Sequence, residues 1–195
     1  MKKHIVTSIL YTVVTAVLLG IAYPLAITAM AKVLFPKQAN GSLITRADGT
    51  VVGSQLIGQT FAGPGYFWSR PSAAGNGYDA SNSGGSNYAP TNAALAARVK
   101  GSVDTLNPKG TNAAVPIDLA TASASGLDPD ITPAAAYYQV SRVAAERKMS
   151  EDAVRALVAA HVTPRQFGLL GEPRVNVLEL NLSLDAALDG AAGAK

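Results

Sequence analysis

The sequence predicts an α+β chain: one N-terminal transmembrane helix followed by a single mixed α+β extracytoplasmic domain. Three observations carry this. Ile5–Ala31 holds 27 residues without a charge between His4 and Lys32. Residues 91–161 repeat apolar side chains at helical spacing, each run opened by a capping residue. Short β-prone runs at 51–57 and 175–184, bounded by glycine and proline, supply the strands.

The first run is longer than the ~20 apolar residues that cross a bilayer core. Ser8, Thr12 and Thr15 dilute it but can return their hydroxyls to helix carbonyls, and Pro24 should kink its last third. Ala29-Met30-Ala31 fits a signal-peptidase pattern, so the alternative is a signal-cleaved, soluble envelope binding protein; the apolar run exceeds the ~7–15 residues of a signal centre, which favours a retained anchor. Lys2 and Lys3 precede the helix, while Lys32, Lys37 and Arg46 follow it, so charge does not set the orientation. A short head staying inside is the easier topology. It places the amino end in the cytoplasm and the large domain on the external side of the membrane.

A connector covers 32–50, with a turn at Asp48-Gly49-Thr50. The domain covers 51–189, and 190–195 is a frayed tail. Its first strand is expected near 51–57, with a possible bulge at Gly53. Gly, Pro, Ser and Asn make up 17 of the 30 residues from 62 to 91, yet Tyr66, Phe67, Trp68, Tyr78 and Tyr88 lie among them. Flexible linkers are poor in aromatics, so this is a long ordered loop whose rings pack on the domain or on a partner. Thr91 or Asn92 caps a helix with a Leu95, Val99, Val103, Leu106 stripe. Thr132-Pro133 opens a second helix, to about Arg147, and Ser150 caps a third. Val175–Leu184 alternates with one slip, slightly favouring a bulged strand over a short strand feeding a helix to Leu188.

Composition excludes more than it suggests. There is no cysteine, and His4 and His161 are the only histidines, so thiolate chemistry and a histidine metal site lack ligands. His161 sits on an apolar helix face as a satisfied core histidine. From residue 32 onward 14 basic residues face 13 acidic ones, no footprint for nucleic acid. Arg142, Arg147, Lys148 and Arg155 on consecutive helices are interleaved with acids, against a DNA-reading pair. Asp128 and Asp130 flank Pro129 as a turn, and Asp118 shows no spacing that pairs it. Ser83–Asn87 and Ser123–Gly126 are glycine-serine stretches able to cradle an anion, but neither carries the P-loop lysine. Phe67, Trp68, Arg70 and Pro71 are the strongest partner-binding cluster, with Arg70 placed to stack on an aromatic ring.

Five blocks carry a resemblance: GSQLIGQTF (53–61), YFWSRPSA (66–73), SGGSNYAPTN (83–92), TASASGLDPDITPAAAYYQVSRVA (121–144) and EPRVNVLELNLSLD (172–185). They resemble, in order, the KdpC family, one of the components of the bacterial Kdp potassium-transporting P-type ATPase. Asp130 departs from the family pattern, so no role is carried over to it. The resemblance implies a non-catalytic inner-membrane subunit beside a channel-like potassium-binding subunit (KdpA), a P-type ATPase subunit (KdpB) and a small single-span subunit (KdpF). The phosphorylation motif DKTG is absent from this chain. The family description, a catalytic chaperone raising the ATPase subunit's ATP affinity, implies no tightly bound cofactor but ATP shared with that subunit. It points to Ser123, Ser125, Gly126 and Gln139 as nucleotide contacts. An external domain would instead cover the channel's outer mouth, where Gly84, Gly85, Ser86 and Asn87 could meet a partner or entering potassium.

Overall fold

The structure is a computed structural model describing residues 1–46, 48–108, 110 and 114–192, with backbone only for 188–192. It divides into two compact units, Met1–Val52 and Gly53–Lys195.

The first unit opens with α1 (Lys2–Val17), a π-helical segment (Leu18–Ala22) and α2 (Tyr23–Leu34), which run as one helix. Lys2–Leu34 is long and apolar enough to cross a membrane, with 33 residues, and none of it is buried within the chain. At 1.5 Å per residue it is about 50 Å long. Ser8 Oγ donates to the Ile5 carbonyl at 2.9 Å and Thr15 Oγ1 to that of Tyr11 at 2.8 Å, so these hydroxyls are satisfied inside the helix. The helix passes Pro24 by way of the π segment: Tyr23 N–H reaches back to Leu18 O, five residues earlier. A proline ring crowds the carbonyl one turn before it, and a widened turn is a common answer. The expected connector is partly structured. α3 (Pro36–Ala39) is followed by β1 (Leu43–Thr45), which pairs with β2 (Val51–Ser54). In the turn, Thr50 N–H donates to Asp48 Oδ1 at 2.8 Å. β2 is shorter than the expected 51–57 strand; beyond it only a bridge between Ser54 and Ile57 remains.

The second unit is built on α4 (Ala93–Leu106), α5 (Ile117–Ala120), β3 (Asp130–Ile131), α6 (Pro133–Arg147), α7 (Glu151–Ala160), β4 (Val162–Thr163), β5 (Arg174–Asn176) and α8 (Val177–Ala192). The expected caps hold. Asn92, Thr132 and Ser150 accept from N–H groups in the first turns of α4, α6 and α7. α6 ends on Lys148 in a left-handed conformation (φ 54°), with Met149 N–H closing on Ala144 O at 3.0 Å. The sheet is antiparallel in the order β3-β5-β4; Val175 pairs with both Ile131 and Val162. Against it α6, α7 and α8 bury Val140, Val143, Val154, Val158, Leu180 and Leu184.

Residues 177–192 form a helix, which corrects the slight preference for a strand. Asn176 Oδ1 accepts from Glu179 N–H at 3.1 Å, an N-cap three residues before an acid. The inward face is Val177, Leu180, Asn181 and Leu184, spaced i, i+3, i+4, i+7. The helix continues to Ala192; residues 193–195 of the expected frayed tail lie outside the described residues. His161 has its hydrogen bonds as expected, but it is half-buried just past the end of α7 and not in the core. Nδ1–H donates to the Leu157 carbonyl and, in the neutral ring, Nε2 accepts from Ser183 Oγ, both at 2.8 Å.

Candidate functional site

The long loop is ordered because helices α6 and α8 strap it down. Two buried amides do most of this. Asn181 Oδ1 accepts from Phe67 N–H at 2.8 Å, and its Nδ2 donates to Phe67 O at 3.0 Å. Gln139 repeats the pattern on the next residue, accepting from Trp68 N–H at 2.8 Å and donating to Trp68 O at 3.1 Å. Each side chain stands in for a neighbouring strand, giving a backbone segment without a sheet partner both of its hydrogen bonds. Phe67, 0% exposed, sinks between them into the core.

Two arginines of α6 complete the strap. The Arg142 guanidinium lies 3.7 Å from the centre of the Trp68 ring, and Arg147 lies 4.3 Å from that of Tyr66. Arg142 also donates to the carbonyls of Pro64 and Tyr66 and to Gln139 Oε1. Arg147 donates to Gly65 O at 2.7 Å and pairs with Asp185 at 2.8 Å. Burial pulls the Arg142 pKa down to about 10, still far above neutrality, so the cation persists on the indole face. The stacked arginine is therefore Arg142 and not Arg70, which pairs instead with Asp128 at 2.9 Å. Sequence proximity suggested Arg70; the helix brings Arg142 from 74 positions away.

Replacing Arg142 with methionine should destabilise the chain by about 2 kcal/mol, the sum of a ring contact and charged hydrogen bonds less the gained apolar packing. Trp68 is the single tryptophan, so its emission should shift in the folded variant; an unchanged spectrum would contradict the stacked geometry.

The two glycine-serine stretches meet. Gly84 N–H donates to Ser125 O at 2.9 Å, Ser83 Oγ to the same carbonyl at 3.0 Å, and Ser72 Oγ to Gly126 O at 2.7 Å. A Cβ on Gly85 would stand 3.1 Å from Ala124 O. Gly126 (φ +66°) is closer still, as its Cβ would fall 2.6 Å from Ala74 N and 2.8 Å from Gly84 O. These groups are spent on one another, building a seam between loops. Ser86 is half-buried beside the seam, and Asn87 is exposed in a left-handed turn (φ 53°).

Among the residues expected to touch nucleotide, Ser125 Oγ accepts from Leu127 N–H at 3.1 Å. Ser123 is 7% exposed, and its Oγ has no partner among the described residues. Gln139 is 1% exposed with its amide committed to Trp68 and Arg142, so it offers no free atom in this structure. Among the residues expected to touch a partner, Phe67 is core and offers no surface. Trp68 and Pro71 are half-buried and line a cavity of about 510 Å³ with Arg98, Ser102, Leu106 and Leu119.

This geometry belongs to a chain that matches the KdpC family, described as K+-transporting ATPase, c chain, over residues 5–186. The chain belongs to the KdpC family. It is 61% identical to the potassium-transporting ATPase KdpC subunit of Koribacter versatilis over 185 residues, 95% of each chain. It is 62% identical to that of Acidobacterium capsulatum over 183 residues, 94% of this chain and 98% of the relative. The KdpC subunit of Burkholderia vietnamiensis is 58% identical over 193 residues, 97% of this chain and 100% of the relative. As a KdpC member the chain is an accessory subunit of a K+-transporting ATPase.

Sequence reasoning missed three features of this KdpC fold. Asn181 fell at a polar position of the Val175–Leu184 alternation, which gave no sign of its role. Asp118 gave no pairing signal, yet it stands in one cleft with Asp128 and Asp130. Phe167, Leu169 and Leu170, 86%, 79% and 58% exposed, form an apolar tip that an apolar cluster between Gln166 and Gly171 could have flagged.

Proposed function

We propose that the chain is the non-catalytic subunit that stabilises a high-affinity, ATP-driven potassium uptake complex in the bacterial inner membrane. The observation that carries this reading is the family match, which spans the membrane-length helix and the strapped domain alike. The helix Lys2–Leu34 anchors the chain with its amino end inside, and residues from 53 onward face the extracytoplasmic side. There the domain covers the outer mouth of a channel-like subunit, with Trp68, Pro71 and the half-buried Gly84–Ser86 seam supplying contact surface. Through the assembly it raises the ATP affinity of the ATPase subunit, the catalytic-chaperone role; a small single-span partner completes the set.

A second reading puts ATP itself at Ser123, Ser125 and Gly126. It is favoured by the Ser123 hydroxyl, which has no partner among the described residues, and Gln139 would serve it from behind by holding Trp68. It requires the domain to be cytoplasmic. Protease added to right-side-out spheroplasts should digest the domain, and inverted vesicles should protect it; the opposite pattern overturns the external reading. Purified complex lacking this chain should need several-fold more ATP for half-maximal hydrolysis. An equal requirement removes the chaperone role. Ser123→Ala with Ser125→Ala should leave that requirement unchanged, and a several-fold rise would support direct contact instead.

A further inference from the structure

The cavity of about 510 Å³ beside Trp68 has two unlike walls. One is apolar and rigid: the Trp68 indole with Pro71 and Leu119. Trp68 is held three ways. Its Nε1–H donates to Gly63 O at 3.0 Å, Gln139 grips its main chain, and the Arg142 guanidinium lies over its ring. The other wall is one face of α4. Arg98, Gly101, Ser102 and Thr105, spaced i, i+3, i+4 and i+7, line the cavity, whereas Leu95, Val99 and Val103 of the apolar stripe do not. No residue of α4 is buried.

Two features of the α4 wall have no account within the chain. Arg98, half-buried, donates to Ser72 O at 2.8 Å, and among the described residues no acid pairs with it. Gly101 stands mid-helix, where glycine is the poorest helix former after proline. Nothing lies within 4 Å of where its Cβ would stand. No neighbour in the chain therefore requires the glycine, and its effect is to leave the cavity open. We infer that the cavity binds a small aromatic carboxylate, with its ring on the Trp68 indole and its carboxylate on Arg98. A pinned indole pairs best with another flat ring, and a guanidinium fork matches a carboxylate. An inorganic anion would leave the apolar wall in water, and a neutral ring would leave Arg98 without a counter-charge. The volume lies within the range of about 300–1,000 Å³ found for small-molecule sites. This inference stands apart from the assembly proposed above, and its test uses the chain without partner subunits.

Full-length chain in lipid nanodiscs should bind 2-naphthoate saturably, as read by saturation-transfer NMR against empty nanodiscs. The emission of Trp68, the single tryptophan, should fall in step. 2-Naphthamide, the neutral isostere, and acetate, the same head without a ring, should each bind at least ~10-fold more weakly. Arg98→Gln keeps a donor for Ser72 O and should weaken naphthoate binding by a similar factor. Gly101→Leu fills the cavity and replaces a poor helix former with a good one. It should abolish binding without lowering the melting temperature; Ser102→Leu fills the cavity from the next position should that variant not fold. Binding no greater than to empty nanodiscs, naphthamide or acetate within ~3-fold of naphthoate, or undiminished binding by the folded Arg98→Gln or leucine variant would each overturn the site.

Discussion

Asn181→Leu is expected to lower the melting temperature of the full-length chain by about 6–12 °C. The side chain is 1% exposed, and leucine matches it in branching and number of heavy atoms. The loss comes from Phe67, whose N–H and C=O are both served by this one amide, at 2.8 and 3.0 Å. Each buried main-chain group left unmatched costs ~1–3 kcal/mol, and added apolar packing offsets about a third of the total, leaving about 3 kcal/mol. For a chain of this size each kcal/mol moves the midpoint by roughly 2–4 °C. Gln139→Leu should behave alike on Trp68. The double variant should lose less than the two single losses combined, because releasing one residue already frees its neighbour. A midpoint for Asn181→Leu within about 2 °C of the parent would mean that the loop holds itself without the amides.

The second large effect is at Gly126. Gly126→Ala adds a Cβ at φ +66°, within 2.6 Å of Ala74 N and 2.8 Å of Gly84 O. The left-handed backbone alone costs an alanine ~1 kcal/mol. Forcing two main chains apart adds ~1–3 kcal/mol, since neither neighbour is a flexible side-chain end. The sum, about 2–4 kcal/mol, should appear as a lower melting temperature and faster amide exchange at Gly84, whose N–H donates across the seam. Gly168→Ala is the matched control: it has φ +75° but open space where the Cβ would go, so only the backbone share should be lost. Equal losses at the two sites would show that the seam does not hold the loops together.

The helices α4, α6 and α7 were legible because capping residue, apolar phase and terminator agreed on each. The last helix was not. Leu178, Leu180, Leu182 and Leu184 alternate strictly, the signature of a strand, and the polar Asn181 hides the helical stripe that includes Val177, Leu180 and Leu184. The residue that misleads the periodicity is the one that clamps Phe67: a polar group placed inside for a hydrogen-bonding purpose violates the pattern by which insides are recognised. The Asn176–Glu179 cap was the signal that could have overridden it. The order in the 62–91 loop was inferable from its aromatics. Its fastenings were not, because Gln139, Arg142, Arg147 and Asn181 lie far along the chain and no local rule assigns a partner across such separations. Asp118 stayed invisible for the same reason.

The wide turn at Leu18–Ala22 changes which side chains line up along the helix. It inserts one residue into the helical count, and a residue corresponds to about 100° of azimuth on a 3.6-residue helix. A seam of side chains traced up α1 at spacings of three and four therefore does not continue as the same seam along α2; it re-emerges rotated. Any helix packed along both halves would have to cross over at Leu18–Ala22, so Lys2–Leu34 presents two differently aimed faces where its uniform composition suggests one.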